Sequence, residues 1–176
     1  MTMSPRIRKL ALTAHVTSSV GWLGAVATSL ALAVIAVISQ DSEVVKATYL
    51  AMELTGWYVL VPLSFASLLT GLVQSLGTTW GLFRHYWVII KLLMNLLATT
   101  VLLLYMQTLS YLADAASEIT TSSTDLGVLT SPTAVIHASG AMVLLLVAAT
   151  LSIYKPRGMT KYGQRRLRTQ KVAALS

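Results

Sequence analysis

Five ionisable side chains lie within or at the edges of long apolar stretches of the sequence, and they are the natural candidates for chemistry. They are His15, Glu53, His85, Lys91 and His137. Ionisable groups are costly inside a membrane, so those found there usually bind a ligand or ion, relay protons or pair with one another. The chain contains no cysteine, which excludes disulfides, thiolate metal sites and cysteine nucleophiles.

The histidines predict a metal or haem ligand. An imidazole that faces the interior of a membrane helix bundle is the usual ligand of a haem iron, and zinc or copper would also accept it. With three histidines in the chain, at most one bis-histidine haem fits within a protomer. We therefore predict a haem b site in which His15 or His85 ligates the iron, with Lys91 beside it.

The elements that must position these residues are membrane-spanning helices. Hydrophobic residues make up 55% of the 176-residue chain and charged residues only 11%, whereas a soluble domain is about a quarter charged. Four apolar stretches each exceed the ~20 residues needed to cross a bilayer, where the backbone must satisfy its own hydrogen bonds. They cover about 10–38, 47–76, 86–112 and 133–154. The sequence predicts an all-α four-helix domain over 1–154 and a basic tail over 155–176.

The polar segments alternate between basic and acidic along the chain. The basic segments hold Arg6, Arg8 and Lys9, then Arg84, then the lysines and arginines from Lys155 onward. The acidic segments hold Asp41 and Glu43 together with Lys46, then Asp114, Glu118 and Asp125. Since loops rich in lysine and arginine stay in the cytoplasm, this pattern predicts an up-down-up-down bundle in a bacterial cell membrane, with both termini cytoplasmic. The basic tail then lies against anionic lipid headgroups, and no nucleic acid is expected.

This orientation separates the candidate residues into two groups. His15, His85 and Lys91 fall near the cytoplasmic ends of their helices, and Glu53 and His137 fall near the outer ends. Glu53 and His137 form a second candidate site, with either a proton or metal role or a structural hydrogen bond. Two alternatives stay open at the inner end: His85 belongs to an interfacial aromatic belt, and Lys91 extends to the headgroups.

The second predicted helix carries a polar seam. Its members follow steps of four and three, which places them on the face toward the bundle interior: Glu53, Trp57, Leu60, Ser64, Ser67, Gly71 and Gln74. Lys91, Asn95 and Thr99 share one face of the third helix. Pro62 lies inside the second helix, and we predict a kink there because proline removes a backbone donor.

Three short motifs resemble a known membrane-protein plan. They are His15-Val-Thr-Ser-Ser-Val-Gly-Trp22-Leu-Gly24, then Pro62-Leu-Ser-Phe-Ala-Ser-Leu-Leu-Thr70-Gly71-Leu, then Trp87-Val-Ile-Ile-Lys91-Leu. Over roughly the first two-thirds of the chain they resemble small bacterial proteins of the HemJ-type protoporphyrinogen oxidase and CopD-type copper-resistance plan. The resemblance implies that His15 matches the first-helix haem-associated histidine and Lys91 the third-helix lysine. Two family features differ: Ile89 replaces a histidine, and the Pro-Arg pair of the first helix is absent from 29–38.

Two functions follow from these observations. The first is a haem-binding membrane protein that is redox-active or handles haem. The alternative is a non-enzymatic accessory subunit or small transporter or ion-handling module, working as a homodimer or within a membrane complex. The sequence leaves open whether the protein is an enzyme.

Overall fold

The computed structural model describes residues 3–77, 81–118, 129, 131–156 and 158–173. The helices within these ranges are α1 (Pro5–Ile38), α2 (Ser42–Thr55), α3 (Val61–Gly77), α4 (Tyr86–Glu118), α5 (Thr133–Tyr154) and α6 (Lys161–Ala173). A π-helical turn, Gly56–Leu60, joins α2 to α3 in one continuous helix. Four helices, α1, the α2–α3 helix, α4 and α5, are long and apolar enough to span a membrane. The predicted all-helical class and the four apolar helices are confirmed.

Several helices extend beyond their predicted bounds. The first starts at 5 rather than 10, the second at 42 rather than 47, and the third ends at 118 rather than 112. Capping explains two of these differences, because the Ser4 hydroxyl accepts from the Ile7 amide at 3.5 Å and the Asp41 carboxylate accepts from the Glu43 amide at 2.9 Å. Apolarity marks the part of a helix that suits lipid, whereas the polar cap decides where the helix begins.

The predicted basic tail contains a helix of its own, α6, which the charge pattern alone did not indicate. Thr160 attaches it to the segment before α4, since its hydroxyl donates to the Phe83 carbonyl at 2.5 Å. The Thr160 amide donates to the Arg84 carbonyl at 3.0 Å, and the same hydroxyl accepts from the Gly163 amide at 3.1 Å. The basic segment before α4 and the basic segment after α5 are therefore held together.

The π-helical turn lies directly before Pro62. The Val61 amide donates to the Gly56 carbonyl, one residue further back than in an α-helix. Proline has no amide proton and its ring crowds the carbonyl four residues earlier, so the helix is distorted on the N-terminal side of Pro62. At the position of the predicted kink, the structure shows one wide turn.

Neighbouring helices contact one another through polar and aromatic side chains. Ser19 of α1 hydrogen-bonds Ser67 of α3 at 2.8 Å. Trp57 donates to Ser110 of α4 at 3.2 Å. At the start of α5, His137 stacks on Tyr105 with ring centroids 4.1 Å apart. We call the end of the bundle with Arg6, Arg84 and α6 the basic end, and the end with Asp41 and Asp114 the acidic end.

The acidic end holds a closely packed core. Small residues from α1 and α4 are almost fully buried there, with Ala36, Ala113 and Ala116 each 0% exposed. Such residues allow helix backbones to approach closely, which is how membrane helices gain packing energy. The Tyr49 hydroxyl adds a polar link by donating to the Leu129 carbonyl at 2.6 Å.

Gly56 marks another close approach, between the π-helical turn and α4. A Cβ at this position would lie 2.6 Å from the Met106 sulfur. We expect Gly56→Leu to lower stability by about 1–3 kcal/mol, the usual effect of overpacking. Thermal unfolding in detergent measures this change. Gly24→Leu is the control, because a Cβ at Gly24 meets nothing within 4 Å, and an equal loss in both variants would contradict the packing argument.

Candidate functional site

His15 and Lys91 meet inside the bundle, which their predicted positions near the same end allow. The Lys91 Nζ lies 3.3 Å from the His15 Nε2, and His15 is only 7% exposed. A lysine ammonium has donors and no acceptor, so Nε2 accepts this bond. The proton of a neutral imidazole then lies on Nδ1, which is 3.1 Å from the Thr70 hydroxyl. The pair therefore joins α1 and α4 through a neutral histidine.

A chain of hydroxyls continues from His15 into α3. The Thr70 hydroxyl accepts from His15 and donates to the Ala66 carbonyl at 2.6 Å. The Ser18 hydroxyl donates to the His15 carbonyl at 3.1 Å and lies 3.4 Å from the Thr70 hydroxyl. Because both ring nitrogens of His15 have hydrogen-bond partners, the imidazole is held in one orientation and one tautomer.

Gly71 provides the space for the imidazole ring. A Cβ at this position would lie 3.1 Å from the His15 Cε1, closer than side chains normally pack. Gly71 follows Thr70 in the sequence, so α3 offers a hydrogen-bond acceptor and an open surface on adjacent residues. The hydrogen bond to Thr70 therefore positions one edge of the His15 ring, and the close approach of Gly71 positions the ring itself.

A cavity of about 90 Å³ adjoins the pair. Its lining is partly polar and comes from α1, α3 and α4: His15, Leu68, Gly71, Gln74, Ser75, Trp87, Val88, Lys91, Leu92 and Asn95. None of these residues is acidic, so the ammonium has no carboxylate partner within the cavity. We call this space the His15–Lys91 cavity.

His85 does not line the His15–Lys91 cavity. It lies in the segment before α4, where its backbone pairs with Met159 and its ring centroid is 6.4 Å from that of Trp87, at a tilted angle. The structure thus brings two of the three inner candidates together and places the third among aromatic residues near the basic end. This position matches the interfacial alternative.

Glu53 and His137, the second candidate pair, share no hydrogen bond or ion pair in the part of the chain that the structure describes. The His137 Nδ1 lies 2.8 Å from the Thr133 carbonyl, so Nδ1 carries the proton and donates. Its ring stacks on Tyr105 and lines a separate cavity, which Glu53 does not reach. Across the described ranges, no three His, Asp or Glu side chains gather as a metal site would require.

Haem fits the His15–Lys91 cavity poorly in this geometry. The hydrogen bond from Nδ1 is the kind of support that an iron-ligating histidine receives. However, the ligating atom Nε2 is occupied by Lys91 at 3.3 Å. The cavity of about 90 Å³ is also well below the ~300–1,000 Å³ of sites for larger ligands. Haem ligation by His15 therefore stays a prediction from the sequence, and this geometry does not favour it.

Thr70 is a site residue that the polar seam of the second helix did not include. It occurs in apolar surroundings where serine and threonine normally serve close helix packing. The signal that could have found it is its spacing, because Thr70 follows Ser67 of the seam by three positions and lies on the same helix face. Ser18, by contrast, is predicted on one stripe of the first helix with His15, Trp22 and Ser29, and it lies beside His15 in the site.

No family model, curated protein or solved structure was found to match the chain.

The absorption spectrum of the purified protein tests the haem prediction. From the occupied Nε2 and the small cavity, we expect little haem uptake by the wild-type protein and more by Lys91→Ala, which frees the ligating atom and enlarges the space. The Soret band after addition of haem measures both. A stoichiometric Soret band in the wild-type protein that His15→Ala abolishes would instead support ligation by His15.

Proposed function

We propose that the protein is an ion-handling membrane protein that binds a small anion at the His15–Lys91 cavity. The observation that carries this proposal is a half-buried lysine that hydrogen-bonds His15 at 3.3 Å and has no acidic residue in the lining of the cavity beside it. A charged group removed from water needs an opposite charge or a polar cavity, and intramembrane ionisable residues commonly mark ion or substrate pathways. An anion from solution supplies the charge that the cavity lining lacks.

The remaining lining residues suit an anion. Gln74 and Asn95 carry side-chain amide donors, and both line the cavity with Lys91. Ser75 also lines the cavity, but its hydroxyl donates to the Gly71 carbonyl at 2.8 Å. Side-chain donors around Lys91 replace the hydrogen bonds to water that an anion loses when it leaves solution. A cation would meet the repulsion of Lys91 with no carboxylate to offset it, so the electrostatics of the cavity favour negative ions.

The size of the cavity limits the anion to a small one. A volume of about 90 Å³ is well below the ~300–1,000 Å³ of pockets that bind drug-sized ligands. Chloride, nitrate and formate are in this range, whereas drug-sized ligands and macrocycles are not. We therefore propose a small monovalent anion as the ligand.

The charge pattern supports an orientation for this site. With basic segments inside, the basic end faces the cytoplasm, both termini are cytoplasmic and the four spans run up-down-up-down in a bacterial cell membrane. Arg165, Arg166 and Arg168 are exposed on α6 at this end. A helix of this kind lies on the membrane surface and attracts anionic lipid headgroups. The His15–Lys91 cavity then receives its anion from the cytoplasm.

Anion-dependent thermal stability tests the binding site. A ligand that binds only the folded protein raises its stability by RT ln(1 + [L]/Kd), so about 100 mM nitrate or formate should raise the unfolding midpoint in detergent. Gluconate at the same ionic strength is too large for the cavity and should not. We expect Lys91→Met to weaken the anion affinity at least about tenfold, because it removes a charge-assisted hydrogen bond.

Lys46→Met is the matched control, since it removes a lysine near the acidic end, and it should keep the wild-type response. The proposal fails if Lys91→Met responds to nitrate as the wild-type protein does, or if gluconate stabilises as well as nitrate. If nitrate also enters proteoliposomes at a rate that depends on Lys91, the protein transports the anion as well as binding it.

Single cysteines test the orientation without background labelling, because the chain has no native cysteine. Gln40 and Gln164 are both exposed and lie at opposite ends of the bundle. In intact bacterial cells, we expect Gln40→Cys to react with a membrane-impermeant maleimide and Gln164→Cys to react only after permeabilisation. The reverse pattern would place the His15–Lys91 cavity on the outer side.

A further inference from the structure

Asn95 brings an unpaired amide to the His15–Lys91 cavity. It lies one turn after Lys91 on α4, it is 7% exposed, and it lines the cavity. Its side chain makes no hydrogen bond to any residue that the structure describes, whereas buried polar groups are normally paired. Its amide atoms are also not sealed in packing, as the Thr99 hydroxyl one turn later is. The Asn95 amide therefore faces the cavity and needs a partner there.

The α3 wall of the cavity carries further hydrogen-bonding groups. Gln74 is half-buried, lines the cavity and has no hydrogen-bond partner within the described ranges. The Ser75 hydroxyl donates its proton to the Gly71 carbonyl, so toward the cavity its oxygen can only accept. An amide offers both a carbonyl acceptor and N–H donors. Amides thus face the cavity from α3 and from α4, together with an accepting hydroxyl oxygen.

The cavity presents acceptors as well as donors to its ligand. Lys91 supplies a charged donor and the two amides supply N–H groups, all of which suit the oxygens of an anion. The amide carbonyls and the Ser75 oxygen, however, can only accept. An anion without a proton, such as nitrate or chloride, leaves these acceptors unpaired, and an unpaired buried acceptor costs free energy. A hydroxyl group on the ligand removes that cost for one of them.

From this set of groups we infer that the anion in the His15–Lys91 cavity carries a hydroxyl group that donates to the Asn95 carbonyl. This inference rests on the proposed function, because Lys91 supplies the charge that holds the anion. Hydrogencarbonate and glycolate are anions of this kind, each with one negative charge, acceptor oxygens and one hydroxyl. Both are small, as the cavity of about 90 Å³ requires. Asn95 is the acceptor because its amide is more deeply buried than that of Gln74.

Two matched pairs of anions test this inference through thermal unfolding of the full-length protein in detergent. Nitrate shares the planar shape of hydrogencarbonate, and acetate shares the carboxylate of glycolate, but neither carries a hydroxyl. In at least one pair, we expect the hydroxyl-bearing anion to bind about three- to tenfold more tightly than its partner, the usual range for one neutral hydrogen bond. The pair with the larger ratio identifies the ligand as a carbonate species or as a small hydroxy acid.

Asn95→Leu keeps the approximate size of the side chain and removes the amide. We expect it to bring the ratio of affinities within that pair to about one, while Lys91 still holds the anion that lacks a hydroxyl. Gln107→Leu is the matched control, since it removes an exposed amide from the same helix and should keep the wild-type ratio. Helix content by circular dichroism reports whether each variant folds, and the anion pairs in the wild-type protein need no variant.

Two results would overturn the inference. The first is equal affinity within both anion pairs in the wild-type protein. The second is a folded Asn95→Leu variant that keeps the wild-type preference for the hydroxyl-bearing anion. Either result leaves the proposed function intact if nitrate stabilisation still depends on Lys91. If no anion stabilises the protein through Lys91, the proposed function and this inference fail together.

Discussion

A lysine ammonium within an apolar helix bundle must find partners for its charge and its three donors, and much of this structure follows from that requirement. Lys91 obtains one partner from His15, at 3.3 Å. Because His15 must accept that bond, its proton lies on the other nitrogen, and Thr70 of α3 becomes the acceptor. Gly71 then leaves room for the ring. One charge on α4 thus fixes a tautomer on α1 and a hydroxyl and a glycine on α3.

The sequence predicted the parts of this structure that depend on apolarity and on local spacing. The four apolar helices follow from composition, and the shared face of Lys91 and Asn95 follows from the helical period, with Asn95 7% exposed. The polar seam was less accurate. Trp57 is 45% exposed although Ser64 and Ser67 are buried. The π-helical turn between them adds a residue to one turn, so a constant helical period cannot continue through it.

Contacts between helices could be predicted only in part, because they depend on which face each helix turns toward its neighbours. Depth in the membrane correctly grouped His15 with Lys91 but also grouped His85 with them, and His85 lies outside the His15–Lys91 cavity. Glu53 and His137 have similar depth yet share no contact among the described residues, since depth does not fix rotation about each helix axis. The tail was treated as a charged segment, whereas Thr160 anchors it as a helix through two carbonyls of the 81–86 segment.

The alanine-rich core at the acidic end has a consequence for the His15–Lys91 cavity. Ala36, Ala113 and Ala116 are fully buried, and Trp22 at 2% exposed lies between them and His15. The lining residues Gln74, Ser75 and Trp87 lie toward the basic end. Packed side chains of α1 and α4 therefore separate the cavity from the acidic end. An anion bound there, as proposed, would exchange from the basic end, and its passage to the acidic end would require the alanine contacts to separate.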